Sequence, residues 1–372
     1  MRYVNTLSVK KSFLRYGELF CGPGGLSLGA KLSSVVDVNK IMHKFVHVWA
    51  NDNDRDSCET YKRNILKYEP NSHMYFEDVQ SLNIDQLQKI DVFAYGFPCN
   101  DFSVVGERKG VTGKYGPLYT YGLKVLDKFK PIAFVAENVG GLSSANGGQA
   151  FIKILDDLSK AGDGYEITAH KYKAEEYGVP QTRHRIIIVG LSKKTKKKFL
   201  VPEPTHRSKY IAVKNVLTNI PADAYNNEIP HASSIVIERL QNIKPGENVW
   251  TADLPKHLKL NVKQTKLSQI YKRLHPDKPS YTITGSGGGG THGYHYKFPR
   301  PLTNRERARI QTFPDDFEFI GKYGSVRRQI GMAVPPMLAK IIFTSLLNTL
   351  YGIPYRSVEQ NLDLSNLKSI IE

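Results

Sequence analysis

Cysteine is scarce in this chain of 372 residues: Cys21, Cys58 and Cys99 are all it has. Three widely spaced thiols make neither a disulfide framework nor a zinc set, and they suit a reducing cytoplasm. Long apolar runs are lacking too. None reaches the roughly 18 residues that a membrane span needs, and residues 1–11 have no apolar stretch of the secretory kind. His292 and His295 stand without carboxylate or cysteine companions, so no metal site is expected. Acidic residues are few: 35 Asp+Glu face 52 Lys+Arg, which leaves a net charge of +17 and a pI near 9.5. What remains is ample for a core, with 40% apolar residues. The length suggests two domains, or one large domain with an insertion.

The positive charge is uneven. Residues 191–300 hold 19 Lys+Arg and 7 Asp+Glu, a net +12, while the other 262 residues carry +5. A basic segment within a milder frame is the electrostatic footprint of nucleic-acid binding. The alternative is a solvated lysine surface, and the run from Lys193 to Lys198 does not decide between them. Pro202, Pro204, Pro221, Pro230, Pro245, Pro255, Pro276 and Pro279 cut this segment into short pieces. It reads as a smaller, loop-rich domain. Gly285 and Gly287 to Gly290 form a joint or a loop of close backbone approach.

Before residue 191 strands and helices alternate. A strand over 12–20 breaks into Cys21-Gly22-Pro23-Gly24-Gly25, and a short helix follows. Strand, glycine turn and helix open a nucleotide-type βαβ unit. A second strand over 45–50 ends at Asn51-Asp52-Asn53-Asp54. Asp52 is placed for ribose hydroxyls. It could also cap the next helix, a role open to Asp54. A third strand over 73–76 precedes Glu77-Asp78.

The fourth strand, over 91–95, runs into Gly96-Phe97-Pro98-Cys99-Asn100. A cysteine at the carboxyl end of a parallel strand is a candidate nucleophile, with a buried structural thiol as the alternative. Gly106, Gly110, Gly113 and Gly116, mixed with Glu107, Arg108, Lys109 and Lys114, make a mobile basic loop beside it. A helix over 119–129 and a buried strand over 132–136 follow, then Glu137-Asn138-Val139, where Glu137 is a capping group or a catalytic acid. A helix over 149–161 and a strand over 165–172 come next. Arg183 and Arg185 alternate at the entrance to a strand over 186–190 and suit an anion. Near the end, Thr303 and Glu306 make a capping box. Arg305, Arg307 and Arg309 are expected to make that helix's surface basic. Pro335 or Pro336 opens a last apolar helix over 337–350.

Taken in order, these pieces resemble the cytosine-C5 DNA methyltransferase family of bacterial modification enzymes, over nearly the whole chain. The matching elements are Phe20-x-Gly22-x-Gly24-Gly25, Pro98-Cys99, Glu137-Asn138-Val139, Gln181-x-Arg183-x-Arg185, Arg305-Glu306-x-x-Arg309-x-Gln311-x-Phe313-Pro314 and Gly331-x-Ala333-Val334-Pro335. Two positions depart from the family. Asn100 stands where glutamine is usual. Met332 stands where asparagine is usual, and it cannot make that residue's hydrogen bonds.

The resemblance implies an α/β, doubly wound, Rossmann-like fold that uses S-adenosylmethionine. It implies a catalytic domain over 1–190, a target-recognition domain over 191–300, and a C-terminal part, 301–372, that completes the first. Cys99, Glu137, Arg183 and Arg185 become the catalytic set, with Arg183 near the nucleophile or the backbone. Phe20, Gly22, Pro23, Gly24, Gly25, Asp52, Asn53, Asp78, Pro98 and Leu118 become the cofactor set. Ser103, Arg108 and Lys109 belong to a loop that closes on nucleic acid. The implied partner is double-stranded DNA, the implied state a monomer, with a cognate restriction endonuclease acting on the same site. A tRNA cytosine-C5 methyltransferase and a catalytically weak DNA-binding regulator are the alternatives. The long basic insert favours DNA.

Overall fold

The computed structural model describes residues 10–97, 118–143, 148–261, 268–285, 290–291 and 293–362. Its centre is one mixed sheet. The strands are β1 (Lys11–Leu19), β2 (Ser34–Val36), β3 (Met42–Asp52), β4 (His73–Phe76), β5 (Val92–Tyr95), β6 (Ala133–Val139), β7 (Tyr165–Lys173) and β8 (His184–Ser192). Their order is β2-β3-β1-β5-β6-β8-β7, with β4 also paired to β3. The pairs β1–β3, β1–β5, β3–β4 and β5–β6 are parallel, whereas β8 runs antiparallel to both β6 and β7.

The central strands are apolar on both faces, as a sheet covered on both sides requires. Their residues divide with a period of two. Phe93, Tyr95, Phe134, Ala136, Ile186 and Ile188 enter one cluster, together with residues of α3 (Tyr119–Phe129) and α4 (Gln149–Lys160). Val92, Ala94, Ala133, Val135, Ile187 and Val189 enter the other, together with Leu26 and Ala30 of α1 (Gly25–Lys31) and Leu338, Ile342 and Phe343 of a later helix. That helix, Pro336–Tyr351, has proline in its first turn, as its sequence predicts. The stretch Tyr323–Tyr351 is long and apolar enough to span a membrane on composition, yet its most apolar window is 72% buried within the fold. It is a pair of core helices.

Beyond β8 regular structure thins. A two-residue strand, β9 (Val201–Pro202), pairs with β10 (Ser357–Val358) from the chain's end. Short helices α5 (Val213–Val216) and α6 (Ser234–Gln241) are embedded in loops. Leu240, Ile243, Val249, Leu254, Leu258, Tyr271 and Tyr294 form a small core of their own. Val213, Leu217, Leu274 and Ile283 pack instead with Leu302 and Ile310, which joins this region to α7 (Asn304–Ile310). The capping box opens α7: Thr303 Oγ1 accepts from Glu306 N at 3.0 Å, and Glu306 accepts from Thr303 N at 2.8 Å. Helix α8 (Tyr323–Met332), which no clean periodicity announces, leads to α9, the Pro336–Tyr351 helix.

The basic surface expected for α7 is absent. Arg305 and Arg307 are 0% and 2% exposed, and Arg309 is largely covered. Arg305 donates to the carbonyls of Tyr225, Pro314 and Phe317, and Arg309 to those of Val216, Thr218 and Asn219. Loops on both sides of α7 leave carbonyls without strand or helix partners. Guanidinium groups, with five donors in a planar fork, satisfy them.

Candidate active site

The sheet register gathers the candidate residues along one edge. Leu19, the last residue of β1, lies opposite Asn51 of β3 and Tyr95 of β5, and Tyr95 lies opposite Ala136 of β6. Asp52 lies opposite Phe76 of β4, and Val139 lies opposite Arg185 at the start of antiparallel β8. The segments that begin at Phe20, Asn53, Glu77 and Gly96 therefore leave the sheet together, beside Glu137 and Arg185. In open parallel sheets this is the edge where ligands sit.

At the first of these exits the chain turns on three left-handed residues, Phe20 (φ 54°), Gly22 (φ 51°) and Gly24 (φ 96°). Pro23 and Gly25 are buried within the turn. No atom lies within 4 Å of the position a Cβ on Gly22 would take, so the turn is open on that side. Asp52 holds it: its carboxylate accepts from Gly22 N at 2.8 Å and from Asp54 N at 2.9 Å. Asp54, not Asp52, caps α2 (Arg55–Tyr61), accepting from Ser57 N at 3.2 Å. Asn53 and Asp78 are exposed at the same edge, and Asp78 accepts from Gln80 N. Leu118 joins the cluster of Phe97 and Val79, against which Phe20 packs.

Sequence reasoning passed over Glu18. It is 1% exposed beneath the turn and accepts from the hydroxyls of Tyr16, Ser27 and Tyr61, on β1, α1 and α2. Burial pushes its carboxyl up to about 8. An acid within an apolar strand was the available signal.

Glu137 and Arg185 form an ion pair, Nε to Oε1 at 2.8 Å, with both side chains largely covered. Burial raises the Glu137 carboxyl above its usual range, while Arg185 and Arg183 oppose the rise. A Cβ on Gly96 would lie 3.3 Å from Glu137 Oε2. The amide of Asn138 donates to the Phe97 carbonyl at 3.1 Å. The chain is thus fixed against Glu137 immediately before Pro98-Cys99. Pro98, Cys99, Ser103, Arg108 and Lys109 themselves lie outside the described residues. Cys21 and Cys58 are buried free thiols. Burial raises both, Cys58 to about 12, so neither favours a thiolate.

Arg183 behaves unlike Arg185. It is 1% exposed and donates to the carbonyls of Ile283 (2.9 Å), Gly331 (2.8 Å) and Ala333 (3.0 Å). The turn around residue 332 is therefore held through its main chain. Met332 is 69% exposed, so the missing asparagine does not leave that turn unsupported.

The family model for C-5 cytosine-specific DNA methylases matches residues 14–348. The chain belongs to that family. This methylase is 54% identical to the type II methyltransferase M.BbvI of Brevibacillus brevis, over 95% of the chain and 96% of the relative. It is 38% identical to the type II methyltransferase M.NgoFVII of Neisseria gonorrhoeae, over 99% and 94%. Among solved structures, a prophage-encoded protein of E. coli described as a DNA modification methyltransferase superposes with a TM-score of 0.69 at 25% identity, covering 91% of this methylase and 99% of that chain. The Dnmt2 methyltransferase of S. pombe, at 15% identity and a TM-score of 0.57 over 91% and 98%, shares the fold.

Proposed function

We propose that this methylase transfers a methyl group from S-adenosylmethionine to C5 of a cytosine flipped out of a short, specific duplex sequence, as the modification half of a restriction–modification system. The observation that carries the reading is the Glu137–Arg185 pair seated against Gly96 and Phe97, directly before Cys99 and on the same edge as the glycine turn. A cytosine inside a duplex cannot reach such an edge, and extruding it costs a few kcal/mol.

The glycine turn fits the methyl donor. Gly22 leaves room for close approach, Asp52 and Asp78 offer carboxylates, and Phe20 and Leu118 offer apolar surface. Phe20, Gly22, Pro23, Gly24, Gly25, Asp52, Asn53, Asp78, Pro98 and Leu118 would hold it. When bound, it supplies an electrophilic methyl group. Asp52 acts first on the turn itself, through Gly22 N.

Cys99 adds as thiolate to C6 of the base, which makes C5 nucleophilic. Charge that builds toward N3 is met by Glu137, whose burial raises its carboxyl against the pull of Arg185 and Arg183 and so eases the sharing of a proton with the base. Charge at O2 is met by Arg185. Loss of the C5 proton and departure of the Cys99 sulfur then restore the ring's double bond. Ser103, Arg108 and Lys109 lie on the loop that closes over the base. Residues 191–300 read the DNA, while 1–190 and 301–372 make the catalytic part. Of the four arginines in 191–300, Arg239 and Arg273 are buried and Arg300 is paired with Glu306, so the charge facing DNA phosphates is mostly lysine. The enzyme works as a monomer in the cytoplasm, beside a nuclease that it does not bind.

The test is transfer of labelled methyl to duplex DNA, with tRNA as control, followed by bisulfite sequencing. The expected product is methylcytosine at one fixed position of a short motif in DNA. Cys99→Ser abolishes transfer and trapping by 5-fluorocytosine DNA. Glu137→Gln slows transfer by about 10²-fold or more. Methylation of tRNA alone, or full activity in Cys99→Ser, refutes the proposal.

A further inference from the structure

Two glycine contacts join parts of the molecule that the proposed function treats separately. A Cβ on Gly25, in the cofactor turn, would lie 2.3 Å from the Val334 carbonyl oxygen. A Cβ on Gly331 would lie 2.0 Å from Gly285 N. Residues 331–334 thus touch the cofactor turn at one end and the end of the DNA-reading segment at the other, backbone against backbone. Arg183 closes this bridge by donating to Ile283 on one side and to Gly331 and Ala333 on the other. Gln181 reinforces it. Its Oε1 accepts from Ile283 N at 2.8 Å, and its Nε2 donates to Gln311, which in turn donates to the Ile330 carbonyl at 2.6 Å.

Main-chain contacts this close have no soft side chain to absorb a shift. A ligand that stiffens the turn at Gly25 also stiffens residues 331–334, and through them 283–285. A second ligand then meets a partly ordered surface and loses less entropy on binding, which is positive coupling without a new contact. We propose that Arg183 is a positioning residue that couples methyl-donor binding at the glycine turn to DNA binding by residues 191–300, through the main-chain bridge 331–334. The proposal rests on the functional reading above.

The experiment measures duplex affinity by fluorescence anisotropy with and without S-adenosylhomocysteine, the demethylated donor, whose own affinity is measured by calorimetry. In the wild-type protein the expected tightening is about tenfold. In Arg183→Lys, which keeps the charge but loses the fork, each ligand still binds alone and the tightening falls to about twofold or less. Gly285→Ala, which presses on the Arg328 carbonyl across the same contact, acts alike. Tightening that survives intact in both variants, or that is absent from the wild type, overturns the inference. A wild-type protein that binds neither ligand refutes the functional reading instead. The unaltered protein provides a reading free of folding defects. S-adenosylhomocysteine alone should slow hydrogen exchange at 280–285, and unchanged exchange there overturns the coupling.

Discussion

Along the sheet, the peptide groups of β1, β3, β5, β6 and β8 bond one another; between β8 and α8, many carbonyls end on arginine side chains. Arg273 alone donates to Leu240, Ile243, His295 and Tyr296, and Arg239 donates to Leu258. Arg305 and Arg309 serve the loops around α7 in the same way. A sheet satisfies its main chain by repetition. A region of short, proline-broken segments cannot, and a buried carbonyl without a donor is costly. Positive charge in this methylase therefore has two uses. Lysines at the surface suit a polyanion, while interior arginines take the place of secondary structure.

The comparison can be broken by substitution. Arg273→Met takes the donor from four carbonyls, of which that of Leu240 keeps the Ile243 amide, and should cost about 4 kcal/mol in urea unfolding; Arg273→Lys should regain little, because an ammonium lacks the fork. A loss under about 1 kcal/mol would mean that the loop-rich part is held by its apolar cluster instead. In the sheet, Phe134→Ala should cost about 4 kcal/mol as well, since the ring is fully buried. Here a partial replacement, Phe134→Leu, should regain most of the loss, because apolar packing is graded where a guanidinium fork is not.

The regions can also be separated by pH. Between its ordinary value of 4.5 and about 8, folded Glu18 holds a proton that the unfolded chain has released. Its contribution is thus full below pH 4.5 and is lost as pH rises toward 8, with a slope of at most about 1.4 kcal/mol per pH unit. Glu18→Gln should flatten that slope in thermal melts across the window, and an unchanged slope would place the titration elsewhere. Least affected should be Thr303→Ala, which removes the α7 cap and lowers stability by about 1 kcal/mol by the same melts.

Most of the sheet region was legible from residue order. The strand over 73–76 and the helix over 119–129 stand where their periodicity put them, and the others shifted by a few residues at their ends. Glycine turns and alternating apolar residues are short-range signals, so they survive without a fold. The capping box of Thr303 and Glu306 is another. The arginines of α7 misled because a charged residue within an apolar pattern reads as surface; nothing local tells it which carbonyls a distant loop will leave unpaired. Asp52 was legible as a carboxylate at the right edge, but not as the group that holds Gly22 N.

Residue order alone was enough for the alternation of strands and helices, the sites of the turns and the chemical kinds of group that the family places along the chain, since each depends on neighbours a few positions apart. Folding assigned the partners. It set Glu137 against Arg185 and Gly96, sent Arg183 to the carbonyls beside Met332, and brought Tyr61 onto Glu18, because those pairings join residues tens to hundreds of positions apart that meet once the sheet has closed.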